Sequence, residues 1–285
     1  MTQSTKMSDA YSHSSVTGQV AVVTGGAQGI GEATARLLAA RGAAGIVLVD
    51  RRREKGEAVA ASLNDAGTKT IFIETDLAIH EQVMRVIPAA DAAFGRVDIL
   101  CNIAGLTDRG TLLETDLELF DRMFAINLRA PFFLMQDTAK VMKREGRGGA
   151  IVNISSVNAH VGGPNLAAYS ASKAGLLNLT KNTANALNMD RIRCNVVLPG
   201  WVDTPGEHET LKKFHDAPDN WLEAAEASRP FGKLLKADDV ARMIAFLASP
   251  ESAPMTGAVI DYEQTVFGGH LPIKTAYPKM GGIED

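Results

Sequence analysis

The sequence predicts one doubly wound α/β domain, with a central parallel sheet of about seven strands and helices on both faces. Three observations carry this reading. Short runs at 20–24, 46–50, 70–75, 98–102, 150–155, 193–198 and 258–261 are apolar and β-branched at nearly every position, as strands covered on both faces must be. Segments with apolar residues at helical spacing separate these runs. The first run passes at once into a glycine-rich loop and then a helix, a place where such a sheet can receive a phosphate.

Run 20–24 ends at Thr24, and Gly25-Gly26-Ala27-Gln28-Gly29-Ile30-Gly31 follows. Glycines at 25, 29 and 31 permit a sharp turn, close approach of a pyrophosphate, and helix N–H groups aimed at it. Ile30, Ala33, Leu37 and Ala40 make the apolar stripe of the helix that opens there. Run 46–50 closes on Asp50, whose carboxylate can accept both adenosine ribose hydroxyls and would repel a 2′-phosphate. Arg51, Arg52 and Arg53 come next, and a basic residue here could instead hold that phosphate. Asp50 occupies the ribose position and the glycine loop has no basic residue, so NAD is expected, with NADP possible.

Val83, Val86, Ile87 and Ala90 form the stripe after run 70–75. Leu117, Phe120, Phe124 and Leu128 form the next, with Thr115 and Glu118 expected as its capping box. Run 150–155 leads to Ser156 and then to a helical stretch at 165–187. After run 193–198 come Pro199-Gly200 and a polar insertion at 203–228, with Trp201 and Trp221 close by. An insertion of this length beyond a strand's carboxyl end is expected to be a substrate lid. Val240, Ile244 and Leu247 line a late helix before run 258–261.

The 285 residues are 46% hydrophobic and 22% charged, which excludes a disordered chain except at the ends. A net charge of −4 favours neither nucleic acid nor an anionic membrane, and no apolar stretch approaches the ~18 residues of a membrane span. Segment 1–17, rich in Ser and Thr, is expected to be unstructured and is no secretory signal. The domain is expected over 18–268, and 269–285, with Pro272 and Pro278, as a C-terminal extension. Cys101 and Cys194 lie in strand-like runs, which fits a reducing, cytoplasmic location. The six histidines show no metal-ligand spacing, so no metal is expected.

Tyr169 and Lys173 stand one turn apart on one face of the helical stretch. A phenol is a poor base at neutral pH, and an adjacent ammonium favours its ionised form. The spacing alone is weak, but Ser156 lies upstream at the sheet edge where ligands bind, and its hydroxyl could hold a substrate oxygen beside Tyr169.

In this order the motifs resemble those of the classical short-chain dehydrogenases/reductases. They are Thr24 to Gly31; Asp76-Leu77; Asn102-Ile103-Ala104-Gly105; Asn127; Ser156; Tyr169-Ser170-Ala171-Ser172-Lys173; and Pro199-Gly200 with Thr204. The resemblance covers about 18–268 and implies a Rossmann-type fold. It implies a catalytic set of Asn127, Ser156, Tyr169 and Lys173. Tyr169 would be the general acid/base and Ser156 would orient the carbonyl oxygen. Lys173 would bind the nicotinamide ribose and lower the Tyr169 pKa, and Asn127 would hold a helix kink and a water. It implies a cofactor site of Gly25, Gln28, Gly29, Ile30, Gly31, Asp50, Asp76, Leu77, Asn102, Ala104, Gly105, Pro199, Gly200, Val202 and Thr204, together with Tyr169 and Lys173. Asp76 would lie near the adenine and Thr204 at the carboxamide. It also implies a homotetramer. The chain departs from the family pattern at Ile103, usually a second Asn, and at Tyr262-Glu263, usually two glycines.

The expected activity is interconversion of a secondary alcohol and a ketone, the partner being a small-molecule substrate. Ser156, Asn158, His160 and Tyr169 are the expected substrate contacts. With Arg109, Glu207 and His208 the rim is polar, which favours a sugar, polyol or similar hydroxylated compound over a steroid or fatty acyl chain. Two rivals stand beside this reading. One is a catalytically idle nucleotide-binding regulator; the other is an epimerase or dehydratase on the same fold.

Overall fold

The computed structural model describes residues 14–266. The strands are β1 (Val20–Thr24), β2 (Gly45–Asp50), β3 (Thr70–Glu74), β4 (Ile99–Asn102), β5 (Gly149–Ile154), β6 (Ile192–Pro199), β7 (Val202–Asp203), β8 (Leu235–Lys236) and β9 (Val259–Tyr262). Seven of them form one parallel sheet in the order β3-β2-β1-β4-β5-β6-β9, and β7 pairs with β8 in a separate short ribbon. The chain order reverses beside β1, between β2 and β4, which opens a crevice at the strands' carboxyl ends.

Both faces are covered, as the continuous apolar runs require. Helices α1 (Gly29–Ala40) and α2 (Arg53–Asp65) pack on one face through Leu38, Val59 and Leu63. On the other face α3 (His80–Phe94) buries Val83, Val86 and Ile87. There α4 (Leu117–Phe124) runs through a π-helical turn, Ala125–Arg129, into α5 (Ala130–Glu145), which buries Leu134 and Met142 beside α6 (Ala167–Leu187). Each such fully buried aliphatic side chain stabilises the fold by roughly 1.5–3 kcal/mol. The insertion 203–228 is helical: α7 (Pro205–His215) and α8 (Trp221–Ala227) share a small core of Leu211, Trp221, Ala225 and Leu234. Helix α9 (Ala237–Ala248) then returns to the α1 face through Val240, Ile244 and Leu247.

Several expectations need correction. The fold begins before residue 18: Val16 is 1% exposed, its N–H donates to the Arg41 carbonyl at 3.0 Å, and Ser14 is buried too. The rest of the N-terminal segment, 1–13, and the extension 269–285 lie outside the described residues. Thr115 does not cap α4. Asp116 does, its carboxylate accepting from the Leu119 N–H at 2.8 Å, while the Thr115 hydroxyl donates back to the Thr111 carbonyl. On α4, Leu117 and Phe120 are exposed in the single chain. Cys101 and Cys194 are buried free thiols in neighbouring parts of the sheet, and burial pushes Cys101 up to about 12. No helix among the described residues is long and apolar enough to cross a membrane.

Candidate active site

One cleft of about 950 Å³ opens at the carboxyl ends of the strands, between the glycine loop and α7. The loop takes its shape from its glycines. Gly25 and Gly29 have φ of +72° and +58°, a region that side chains rarely adopt. A Cβ on Gly31 would collide with the Gly25 carbonyl, so the first turn of α1 folds back closely on the loop. Helix α1 starts here with no side-chain cap, which leaves its first N–H groups for a ligand. Thr24 fixes the other wall: its hydroxyl oxygen accepts from Ile103 N–H at 2.9 Å and Ala104 N–H at 3.1 Å. Ile103 packs into the core, which gives this departure from the usual Asn a structural use.

Asp50 sits at the end of β2 in the cleft wall. Its carboxylate accepts from Ala27 N–H at 3.3 Å and Arg52 N–H at 3.0 Å. Gln28, Ile30, Asp76, Leu77, Ala104, Gly105, Pro199, Gly200, Val202 and Thr204 line the same cleft. The cradle fits a dinucleotide: its pyrophosphate would meet the loop where side chains are excluded, and its ribose would meet Asp50.

At the other end Ser156, Tyr169 and Lys173 come together, all buried. Lys173 Nζ donates to the Ile154 carbonyl at 2.8 Å and lies 5.9 Å from the Tyr169 ring centre. Gly105 leaves room for that ammonium, since a Cβ there would sit 3.2 Å from Nζ. The Ser156 hydroxyl oxygen accepts from Asn158 N–H at 3.2 Å, which orients it. Burial pushes the Lys173 ammonium down to about 8. Burial also pushes the Tyr169 phenol above its ordinary value. A hydrogen bond with Ser156 works against that, Glu207 adds to it, and Arg109 opposes it. Burial is the largest of these influences on the phenol.

Asn127 sits in the π-helical turn, fully buried. Its amide clamps Leu106 twice, accepting from the N–H at 2.8 Å and donating to the carbonyl at 3.0 Å. It also donates to the Ser172 hydroxyl, so it links the kink to the helix that carries Tyr169. Like Asn127, the expected Asn102, His160 and His208 do not line the cleft. Asn102 is buried beneath it, donating to Asn153 Oδ1 at 2.9 Å, and its own Oδ1 has no partner. His160 turns to Asp261, with Nε2 and Oδ1 2.8 Å apart, because the short 3₁₀ turn Val157–Ala159 carries it past the cleft to the end of β9.

Sequence reasoning missed Glu263 and Glu209 as residues of the cleft wall, which Arg52, named beside Asp50, also lines. The carboxylate of Glu263 lies against Gly200, where a Cβ would collide with it, and accepts from Trp201 N–H at 3.2 Å. The departure Tyr262-Glu263 thus holds the turn after β6. The Trp201 ring N–H donates to Glu207 at 3.0 Å, and Glu207 meets Arg109 at 3.4 Å. Among the described residues no group of three or more His, Cys, Asp or Glu is placed to hold a metal ion.

Residues 25–264 match the family model described as enoyl-(acyl carrier protein) reductase. The chain is 37% identical over 256 residues to cis-4-hydroxycyclohexanecarboxylate dehydrogenase of Sinomonas cyclohexanicum, covering 90% of this chain and 97% of that protein. It is 38% identical over 241 residues to L-rhamnose 1-dehydrogenase (NAD(P)(+)) of Azotobacter vinelandii, covering 83% and 92%. The crystal structure of a dehydrogenase/reductase from Sinorhizobium meliloti superposes with a TM-score of 0.77 at 35% identity, covering 87% of this chain and 95% of that one.

Proposed function

The chain belongs to the short-chain dehydrogenase/reductase family, and from that premise we propose that it interconverts a secondary alcohol and a ketone with NAD, using Tyr169 as general acid/base. The convergence of Ser156, Tyr169 and Lys173 at one buried end of the cleft carries this reading. A bound nicotinamide would supply the hydride acceptor, or the donor in reverse. The glycine loop and Asp50 would hold its dinucleotide.

The chain's own groups divide the remaining work. Ser156, oriented by Asn158, donates its hydroxyl proton to the substrate oxygen. Tyr169 takes the alcohol proton from that oxygen, or returns it to the ketone. Lys173 would hold the nicotinamide ribose, and a ribose hydroxyl there would also draw its ammonium toward the phenol. Asn127 keeps the Leu106 loop and the Tyr169 helix in register.

The rim supports a small hydroxylated substrate, a sugar or polyol. Arg109, Glu207, Thr107 and Asn158 offer donors and acceptors in the cleft wall, where a steroid would need an apolar surface. The relatives named above act, by their names, on a hydroxylated ring acid and on a sugar, which agrees in kind. The reading includes a homotetramer that covers Leu117 and Phe120, and a cytoplasmic location suited to two free thiols.

The test is a panel of sugars, polyols and hydroxy acids with NAD and with NADP, followed by nicotinamide absorbance and product analysis. Ketone formation with NAD reduction is the expected result. Folded protein that reduces neither dinucleotide with any alcohol would favour an idle regulator. A product isomeric with the substrate, or dehydrated, would favour the epimerase or dehydratase reading.

A further inference from the structure

We propose that Glu209 serves as an internal counter-ion for Arg52, so that the chain discriminates against a 2′-phosphorylated dinucleotide by competition for one guanidinium. The inference rests on the dinucleotide reading of the cleft. Arg52 stands two residues after Asp50, and its own N–H is fixed by the Asp50 carboxylate at 3.0 Å. Its guanidinium forks onto Glu209 of α7, with Nη2 to Oε2 at 2.7 Å and Nη1 to Oε1 at 3.3 Å. Nη1 also donates to Gln28 Oε1 in the glycine loop, which Lys55 Nζ approaches to 3.2 Å. One side chain in the turn after β2 therefore joins the loop to the lid helix, and both of its partners, Gln28 and Glu209, line the cleft.

A carboxylate and a phosphate offer this fork the same pair of oxygens, so Arg52 can serve only one of them fully. Its neighbours differ in role. Arg53 is paired with Glu74 and points away from the competition. Arg51 is exposed in the same wall and sets a baseline attraction for phosphate that Glu209 does not touch. Asp50 repels a 2′-phosphate whatever Arg52 does. The Glu209 side chain is 58% exposed, so the pair is weak enough to be displaced. A 2′-phosphate that captures Arg52 would also release α7 from the turn, whereas NAD would leave that tether in place.

The experiment is fluorescence titration of NADH and NADPH into the wild type, Glu209→Gln, Arg52→Ala and the double variant. Hydrogen exchange of α7 is measured with each dinucleotide at saturation. Glu209→Gln should tighten NADPH about three- to fivefold, the worth of an exposed ion pair, and leave NADH within about twofold. The gain should vanish in the Arg52→Ala background, and α7 of the wild type should exchange faster with NADPH than with NADH. An unchanged NADPH-to-NADH ratio in Glu209→Gln, or a gain that persists without Arg52, would overturn the competition while leaving the NAD reading intact. Failure of the wild type to bind NADH would overturn both.

Discussion

Arg109 and Glu207 meet at 3.4 Å in the cleft wall, and their charges pull the Tyr169 phenol in opposite directions. Glu207 disfavours the phenolate and Arg109 favours it, on top of a larger upward push from burial. With Tyr169 as the proposed base, alcohol oxidation needs the phenolate, and its rate should climb as pH rises through the Tyr169 pKa. Glu207→Gln should therefore move the oxidation profile to lower pH, and Arg109→Gln should move it to higher pH. The check is kcat against pH for both variants. Shifts of the same sign would show that packing, and not charge, links these residues to Tyr169.

Tyr169→Phe removes the hydroxyl and keeps the ring that packs against Met123 and Ala168. The fold and the glycine loop should survive it. The expected loss is about 100-fold or more in kcat, the usual worth of a general acid or base, with NADH affinity nearly unchanged. Steady-state kinetics with a dinucleotide titration decide it. Turnover near that of the wild type would remove Tyr169 from the mechanism.

Lys173 makes a prediction that needs no substrate. Its folded value of about 8 lies below the ordinary lysine value of 10.5 that it regains on unfolding. Between these values the unfolded chain binds more protons, so this group makes stability rise with pH through that window. Below about pH 8 the penalty is present in full. The gap corresponds to about 3 kcal/mol as an order of magnitude. Lys173→Met also loses the hydrogen bond to the Ile154 carbonyl, a constant offset. The difference in unfolding free energy between variant and wild type should therefore shift toward the wild type from pH 8 to pH 10. Urea unfolding at several pH values tests it, and a pH-independent difference would mean that Lys173 is not strained by burial.

The sheet was legible because strands buried on both faces leave runs such as Val20–Thr24 that no other environment explains. The glycine loop was legible because Gly25 and Gly31 answer to backbone geometry, which acts over a few residues. Residues acting across long separations were not. Nothing near Glu263 says that its carboxylate will reach Trp201, and nothing near Arg52 announces Glu209. Asn102 and His160 mislead for the opposite reason. Each sits beside a residue of the cleft in sequence, but strand alternation turns Asn102 under the sheet and a short turn carries His160 outward. The cap of α4 failed locally, because Asp116 stands one residue closer to the helix than Thr115.

Glu263→Gly restores the more usual glycine at that position and removes two contacts, the bonds from Trp201 N–H and Gln264 N–H. The stability loss should be modest, about 1 kcal/mol, since both groups can reach water. The effect on substrate should be larger, because Trp201 sets Glu207 through its ring N–H. KM for a polyol should rise with kcat little changed, the mark of lost positioning of a binding group. An unchanged KM alongside lowered stability would confine Glu263 to holding the turn.

The lid makes the last prediction. Helices α7 and α8 carry their own small core, and Trp201 stacks on Trp221 with ring centres 5.7 Å apart. Trp221 donates its ring N–H to His208 Nδ1 at 3.3 Å, and His208 pairs with Asp203 at 2.7 Å. Asp203 in turn binds Lys236 on β8 at 2.9 Å. The two helices are thus joined to each other, and α7 meets the glycine loop through Arg52, which bridges Glu209 to Gln28. They should close as one body over a ternary complex, hinging at 203–205 and 228–234. Both tryptophans of the chain flank or lie within this unit, so intrinsic fluorescence reports on it. The expected result is a fluorescence change on adding substrate to the NAD complex, with exchange protection rising across 205–227. Protection confined to the glycine loop, with unchanged tryptophan emission, would make the helix pair a fixed wall of the cleft.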